Sequence, residues 1–254
     1  MIRTTLILLA ALIEGPRLDA VDHALFDSIL KENVTEDGWV NYKKIRDKRA
    51  ADLQRYLRQL AETDISKLTS KNDRMAFWTN SYNAVCIQKI LDNKIPASVP
   101  KALLFGKNIF KEETYRIAGK VRSLDEIEHQ ILRKQFKDLR IHAALVCAAS
   151  SCPRLRPEAY DGDRIDRQLD EEAKRWIQRG KTKEGRRKNE LNRRTTTFYV
   201  SKIFDWFQED FGGSEAGVLE FVTRFASASD REFLSKNRVR IRYRDYSWKV
   251  NSQS

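Results

Sequence analysis

Hydrophobic residues recur with helical spacing along most of this chain, most densely from Arg74 to Leu91, RMAFWTNSYNAVCIQKIL. At 100° per residue, Met75, Ala76, Trp78, Tyr82, Val85, Cys86, Ile87, Ile90 and Leu91 cover most of the circumference, which is the pattern of a buried helix. Asn80 and Asn83 share one side with Ile87 and Ile90, at i, i+3, i+7, i+10. Amides on a buried stripe must find partners, or each costs about 1–3 kcal/mol. The helix therefore anchors a polar network in the core or lines a site. Pro96 and Pro100 forbid its continuation.

Upstream, His23 to Asn33 and Asp47 to Ala61 read as amphipathic helices, with an Asp37-Gly38 turn and an extended piece, Trp39 to Tyr42, between them. Downstream, Tyr115 to Val121 is a strand or hairpin turning at Gly119. Ser123 opens a helix with a capping box, its hydroxyl on the third amide and Glu126 reaching back. Leu124, Ile127, Ile131 and Leu132 form the apolar side of that helix; Glu128 projects inside the stripe and His129 lies on its flank. A carboxylate facing a core needs a cation or a hydrogen-bond donor, and a buried arginine is the plainest partner. Ile141 to Cys147 reads as the best strand, followed by a small-residue loop, Ala148 to Pro153. A helix over Ile165 to Ile177, a strand over Thr195 to Val200, a Ser201-capped helix Lys202 to Asp210, a Ser214-capped helix Glu215 to Ala228 and an edge strand Val239 to Tyr243 complete the pattern. Helices predominate and strands cluster after Tyr115. The expected fold is α+β: one helix-rich domain with a small, mainly antiparallel sheet packed on the buried central helix.

Across the 254 residues, hydrophobic content of 41% and charged content of 33% fit a folded core rather than global disorder. The net charge is +12, and Lys174 to Arg194 holds ten basic residues against two acidic ones. The middle of that segment reads as a mobile, solvated loop. Basic charge gives sequence-independent affinity for nucleic acid, but no binding motif or interleaved aromatics accompany it. An anionic surface or polymer is the better-matched partner.

Arg3 followed by the apolar run Leu6 to Ile13, too short to span a bilayer, has the pattern of a secretory leader. Residues 1–20 are expected to be a signal peptide, with 21–254 as an exported domain, periplasmic or secreted. Cleavage after Ala20 fits weakly because Leu18 is not small. Cys86 sits in the buried helix as a small hydrophobe. Cys147 and Cys152, five apart, can be a disulfide loop or two thiols.

With these segments in place, the chain resembles the domain-of-unknown-function 547 family over about residues 22 to 251. AFWTNSYNA, SLDEIEHQILR, RIHAALVCAASSCPRLR, VSKIFDWFQEDFGG and the terminal YSWKVN carry the resemblance together. The family name brings no settled activity; bacterial members resemble exported single-domain proteins. Three positions depart from the family pattern. Ala148 stands where glycine commonly follows the cysteine, Thr79 where a larger aliphatic is usual, and Ser247 where aspartate is usual. Ala148 bears most on a site, because its methyl group disfavours positive φ. A helix ending in an x-I-P segment and then a histidine-led strand is also similar to the papain and transglutaminase class. There the nucleophilic cysteine opens the buried helix. Here Trp78 to Asn80 occupy that place, so the nucleophile of the class is absent.

Three chemistries compete. The first is a binding or scaffold domain for a peptide, glycan or other polymer. In it Asn80, Asn83, Glu128 and Ser151, with His129 and His142, form a buried polar network under a groove. The second is a thiol-dependent hydrolase or transferase with Cys147 as nucleophile and His142 or His129 as base. In a regular strand His142 and Cys147, an odd number apart, face opposite sides; His129 escapes that objection. The third is a metal site, for which His129, His142, Cys147 and Glu128 have suitable donors but no ligand spacing. No glycine-rich phosphate loop is visible, and no cofactor is expected. The expected arrangement gathers His129, His142, Cys147 and Asn83 in one pocket, with Glu128 nearby.

Overall fold

The computed structural model describes residues 21–99, 108–178 and 188–253. The expected leader and the middle of the basic segment lie outside the described residues. Among those described, no helix is long and apolar enough to cross a membrane.

The Arg74–Leu91 stretch lies within α4, Lys71–Asp92, and every residue from Met75 to Ile90 is buried. Ser70 starts the helix, its hydroxyl accepting from the amides of Asn72 and Asp73. Around α4 pack α2, Tyr42–Lys44, and α3, Ala50–Glu62, which are joined by a π-helical turn, Ile45–Arg49. α5, Leu124–Glu126, with its π-helical continuation Ile127–Phe136, and α6, Ile165–Gln178, also pack on α4. α1, Ala24–Asn33, lies on α3. The amphipathic periodicities upstream and at α6 thus appear as the expected helices.

Two small sheets flank this helical body. β1, Tyr115–Ile117, and β2, Lys120–Arg122, form the expected antiparallel hairpin, turning through Ala118 and Gly119 at φ 48° and 75°. β3, Glu190–Asn192, β4, Thr197–Val200, and β5, Arg240–Tyr243, form a sheet of order β3-β4-β5, antiparallel at the first pairing and parallel at the second. The domain is α+β, with β5 at an edge and its arginines outward. The three-stranded sheet does not cover α4. Phe198, Val200 and Ile241 bury into a second apolar cluster with Trp176, Phe204 and Phe221 from α6, from α7, Ile203–Trp206, and from α8, Glu215–Phe225.

Four local expectations are corrected. Ile141 to Cys147 is not a strand: Leu139–Ala143 is a 3-10 helix and the rest is irregular. An apolar run signals burial, and here the backbone needs are met by a side chain. Asn83 donates to the Ala144 carbonyl at 3.0 Å and accepts from the Val146 amide at 3.0 Å. The capping box is half made: Ser123 Oγ accepts from the Glu126 amide at 3.0 Å, but the Glu126 carboxylate pairs with Arg122. The Glu215–Ala228 helix stops at Phe225, and Ser227 caps a further helix, α9, Ala228–Lys236. The Lys202–Asp210 helix is shorter, Ile203–Trp206, and is followed by turns; beside it, at the end of the basic segment, Lys188 and Asn189 are buried, and Asn189 bonds Trp176 and Ser201 of the backbone.

The closing YSWKVN segment stitches distant parts together. Its backbone bonds Val99 from Trp248, Ala97 and Ala148 from Val250 and Asn251, Ser150 from Lys249, and Val40 from Asn251. This stitching brings Tyr246 and Trp248 to the helical body.

Candidate functional site

A cavity of about 240 Å³ opens between α4, the helix begun by Ser123, α7 and the closing segment. Its walls are largely aromatic: Tyr82, Phe110, Trp206, Phe207, Tyr246 and Trp248. Trp206, Tyr246 and Trp248 form one cluster, with ring centroids 4.7 Å apart for each pair with Tyr246 and 5.7 Å apart for the two indoles. Trp206 is 46% exposed, unusual for so large an apolar side chain beside a cavity.

The polar groups converge from two sides. Glu128 stands half-buried at the wall and accepts a hydrogen bond from Tyr82 Oη on Oε2, at 3.1 Å. Burial pushes its carboxyl up to about 7, against the pull of the Tyr82 hydroxyl and the Arg133 charge. The arginine expected beside it is absent: Arg133 turns instead to Asp210, its Nε 2.6 Å from Oδ2 and Nη2 2.8 Å from Oδ1. His142 Nε2 lies 2.7 Å from the same Asp210 Oδ2, with the His142 ring 4.6 Å from Phe207. Burial pushes the Asp210 carboxyl up, but hydrogen bonds from His142 and Arg133 outweigh it and hold it well below the usual carboxylate range. Burial likewise lowers His142, opposed by Asp210. Arg133 Nη1 donates to His129 Nδ1 at 2.7 Å. A guanidinium has no lone pair to offer, so His129 accepts there and is neutral, its Nε2–H facing Asp125 at 3.6 Å. Burial lowers its pKa in the same sense.

Cys147 and Cys152 are joined in a disulfide, and both residues line the cavity. Tyr246 Oη sits 3.1 Å from Cys147 Sγ and 3.0 Å from Cys152 Sγ. Neither sulfur is a thiolate in this state, so hydrolysis through Cys147 requires prior reduction. Cys86 is a buried free thiol, pushed up to about 12 by desolvation, as a core hydrophobe should be. Ala148, in the disulfide loop, adopts φ 62°, the conformation glycine takes most readily.

The fold brings Glu128, His129, His142 and Cys147 together at this cavity. It does not bring Asn80, Asn83 or Ser151 to its wall. Asn80 donates to the Tyr160 carbonyl at 2.8 Å and accepts from its amide at 2.9 Å, the same two-point clasp that Asn83 makes on Ala144 and Val146. Ser151 Oγ accepts from the Ser247 amide at 2.8 Å. These three groups hold loops against the core. Tyr82, Arg133, Asp210, Trp206, Phe207, Tyr246 and Trp248 complete the site. All but Tyr82 and Arg133 come from motifs near the C-terminus, FDWFQED and YSW, whose aromatic density is their sequence signal. Among the described residues, no group of three or more His, Cys, Asp or Glu side chains could hold a metal ion.

Residues 65–177 match the sequence model of the family described as "Protein of unknown function, DUF547". This part of the chain is similar to that family. The match covers α4, Glu128, both histidines and the disulfide; the aromatic wall from Trp206 to Trp248 lies beyond it. No curated protein and no solved structure matches the chain.

Proposed function

We propose that this is a binding domain whose aromatic cavity receives a basic side chain of a peptide. Glu128 carries this reading. Its carboxylate is desolvated, and among the described residues no cation is paired with it. Trp206, Tyr246 and Trp248 line the same cavity. An amino or guanidino group entering there meets a carboxylate, and its apolar stem lies against the indoles. Asp125, on the same wall, adds a second negative group. The local charge thus opposes the chain's net +12 and disfavours an anionic polymer inside the cavity, whatever the basic segment contacts.

We infer also that the domain works in an oxidising compartment, exported from the cytosol. The Cys147–Cys152 disulfide supports this, together with the leader-like opening of the sequence.

Tryptophan fluorescence tests the binding proposal, with tri-lysine amide, tri-glutamate and maltotriose as probes. The expected result is a saturable change with tri-lysine alone, lost in Trp206→Ala. A response to maltotriose or tri-glutamate, and none to tri-lysine, would overturn it.

A further inference from the structure

We propose that the Cys147–Cys152 disulfide is a thiol–disulfide exchange site for cysteine-bearing peptides held in the aromatic cavity. The peptide part of this proposal rests on the binding reading above; the exchange part does not.

Three observations carry it. First, both cysteines line an open cavity. The two ends of the disulfide differ: Cys147 is partly exposed and Cys152 is 2% exposed. An incoming thiolate therefore reaches Cys147 Sγ, and Cys152 is the leaving sulfur.

Second, the leaving sulfur has donors in place. Tyr246 Oη lies 3.0 Å from Cys152 Sγ, and the Cys147 amide donates to the same sulfur at 3.2 Å. Two hydrogen bonds on a buried sulfur favour the thiolate that departure creates. The same tyrosine is 3.1 Å from Cys147 Sγ, so it also serves the reverse step.

Third, the fold does not depend on the bond. It closes a loop between residues only five apart, and the stabilisation a disulfide gives shrinks as the loop it closes shortens. That segment is already pinned by backbone bonds from Ala148 to Asn251 and from Ser150 to Lys249, and by Asn83 on Ala144 and Val146. Oxidised and reduced chains can therefore share one structure, which a reversible exchanger requires.

A substrate thiolate attacks Cys147 Sγ, forming a mixed disulfide. The Cys147–Cys152 bond breaks and its electron pair goes to Cys152 Sγ. A second substrate thiol, losing its proton to the Glu128 carboxylate or to water, attacks the substrate's own sulfur in the mixed disulfide and releases Cys147 as thiolate. The substrate dithiol is oxidised to a disulfide, and the protein pair is reduced to two thiols by the same two electrons. An external peptide disulfide restores the bond by the reverse sequence.

Native protein is treated with dithiothreitol, quenched with iodoacetamide and mapped by mass spectrometry. The expected result is labelling of Cys147 and Cys152, with Cys86 unlabelled and the near-ultraviolet circular dichroism unchanged. Labelling of the pair only in denaturant, or together with Cys86, would overturn the proposal. In a second arm, Cys152→Ser is expected to form a mixed disulfide with oxidised glutathione about tenfold faster than Cys147→Ser does. Equal rates or the opposite order would overturn the assigned direction of attack. If either variant fails to fold, the wild-type labelling decides. In a third arm, wild type is reduced by a peptide bearing two cysteines flanked by lysines and by the same peptide flanked by glutamates, and the lysine peptide is expected to react about tenfold faster. No reduction of the native disulfide by either peptide would contradict exchange. Equal rates would contradict capture of a basic peptide and leave exchange standing.

Discussion

The Tyr82 hydroxyl donates to Glu128 Oε2 at 3.1 Å, tying the buried core helix to the one carboxylate at the cavity wall that burial pushes up to about 7. The contact offsets part of the desolvation that raises this carboxyl, and so supports the charge a cation entering the cavity would meet.

A raised carboxyl has a definite linkage to stability. Between the ordinary value of 4.5 and about 7, folded Glu128 holds a proton that the unfolded chain has released. Stability contributed by the protonated group is therefore present below 4.5 and lost as pH rises through 7, up to about 3 kcal/mol. His23, half-buried and lowered to about 4 by desolvation, acts in the opposite direction over part of the same range, so the difference between two proteins is needed to isolate Glu128. Wild type and Glu128→Gln provide that difference. Urea denaturation is expected to find the variant near wild type at pH 4.5 and more stable at pH 8. A constant difference across that range would contradict the assignment.

Asp210 behaves oppositely. Its carboxyl is held low by His142 and Arg133, so its stabilisation is present above the ordinary carboxylate value and fades as pH falls through the folded one. Asp210→Asn leaves Arg133 without its two-point partner and is expected to cost about 2–4 kcal/mol near neutrality. His142 should then titrate lower, because the neighbouring charge that raises it is gone. Proton NMR of the imidazole reads that shift directly.

The paired asparagines predict a loss of stability without a loss of binding. Asn83→Ala strands the Ala144 carbonyl and the Val146 amide, both buried, at about 1–3 kcal/mol each. Neither atom reaches the cavity wall. Thermal denaturation should therefore register the change, while the affinity for tri-lysine at a temperature where the variant is folded should not.

Glu172 offers a separate check on the α6 side. Its side chain is 1% exposed and accepts from Arg154 at 2.6 and 2.8 Å and from Arg156 at 2.8 Å. Glu172→Ala leaves two guanidinium groups facing a void and is expected to cost about 3–5 kcal/mol by urea denaturation. A loss below about 1 kcal/mol would mean that the pair is solvated.

Periodicity made α1, α3, α4 and α6 legible, because each buries one stripe or, for α4, the whole circumference. Glu128 was legible as a misfit in an apolar stripe, and His129, His142 and Cys147 as reactive types near it. The run Ile141 to Cys147 misleads because burial looks the same in a strand and in a loop whose backbone is satisfied by Asn83. That asparagine, read as a site residue, spends both its donor and its acceptor on that task. The aromatic wall was hidden for another reason. Trp206, Tyr246 and Trp248 lie more than 100 residues from α4; backbone bonds of the closing segment bring Tyr246 and Trp248 to it, and Trp206 of α7 packs on both rings. No local spacing encodes that return.

The most direct test of the cavity as a cation site is the pH dependence of its affinity. Isothermal titration of wild type and Glu128→Gln with tri-lysine amide, at pH 5.5 and at pH 8, reads the Glu128 charge alone. Binding to wild type is expected to strengthen about tenfold as Glu128 ionises, and binding to the variant to stay weak and flat. Equal affinities for the two proteins at both pH values would contradict the account.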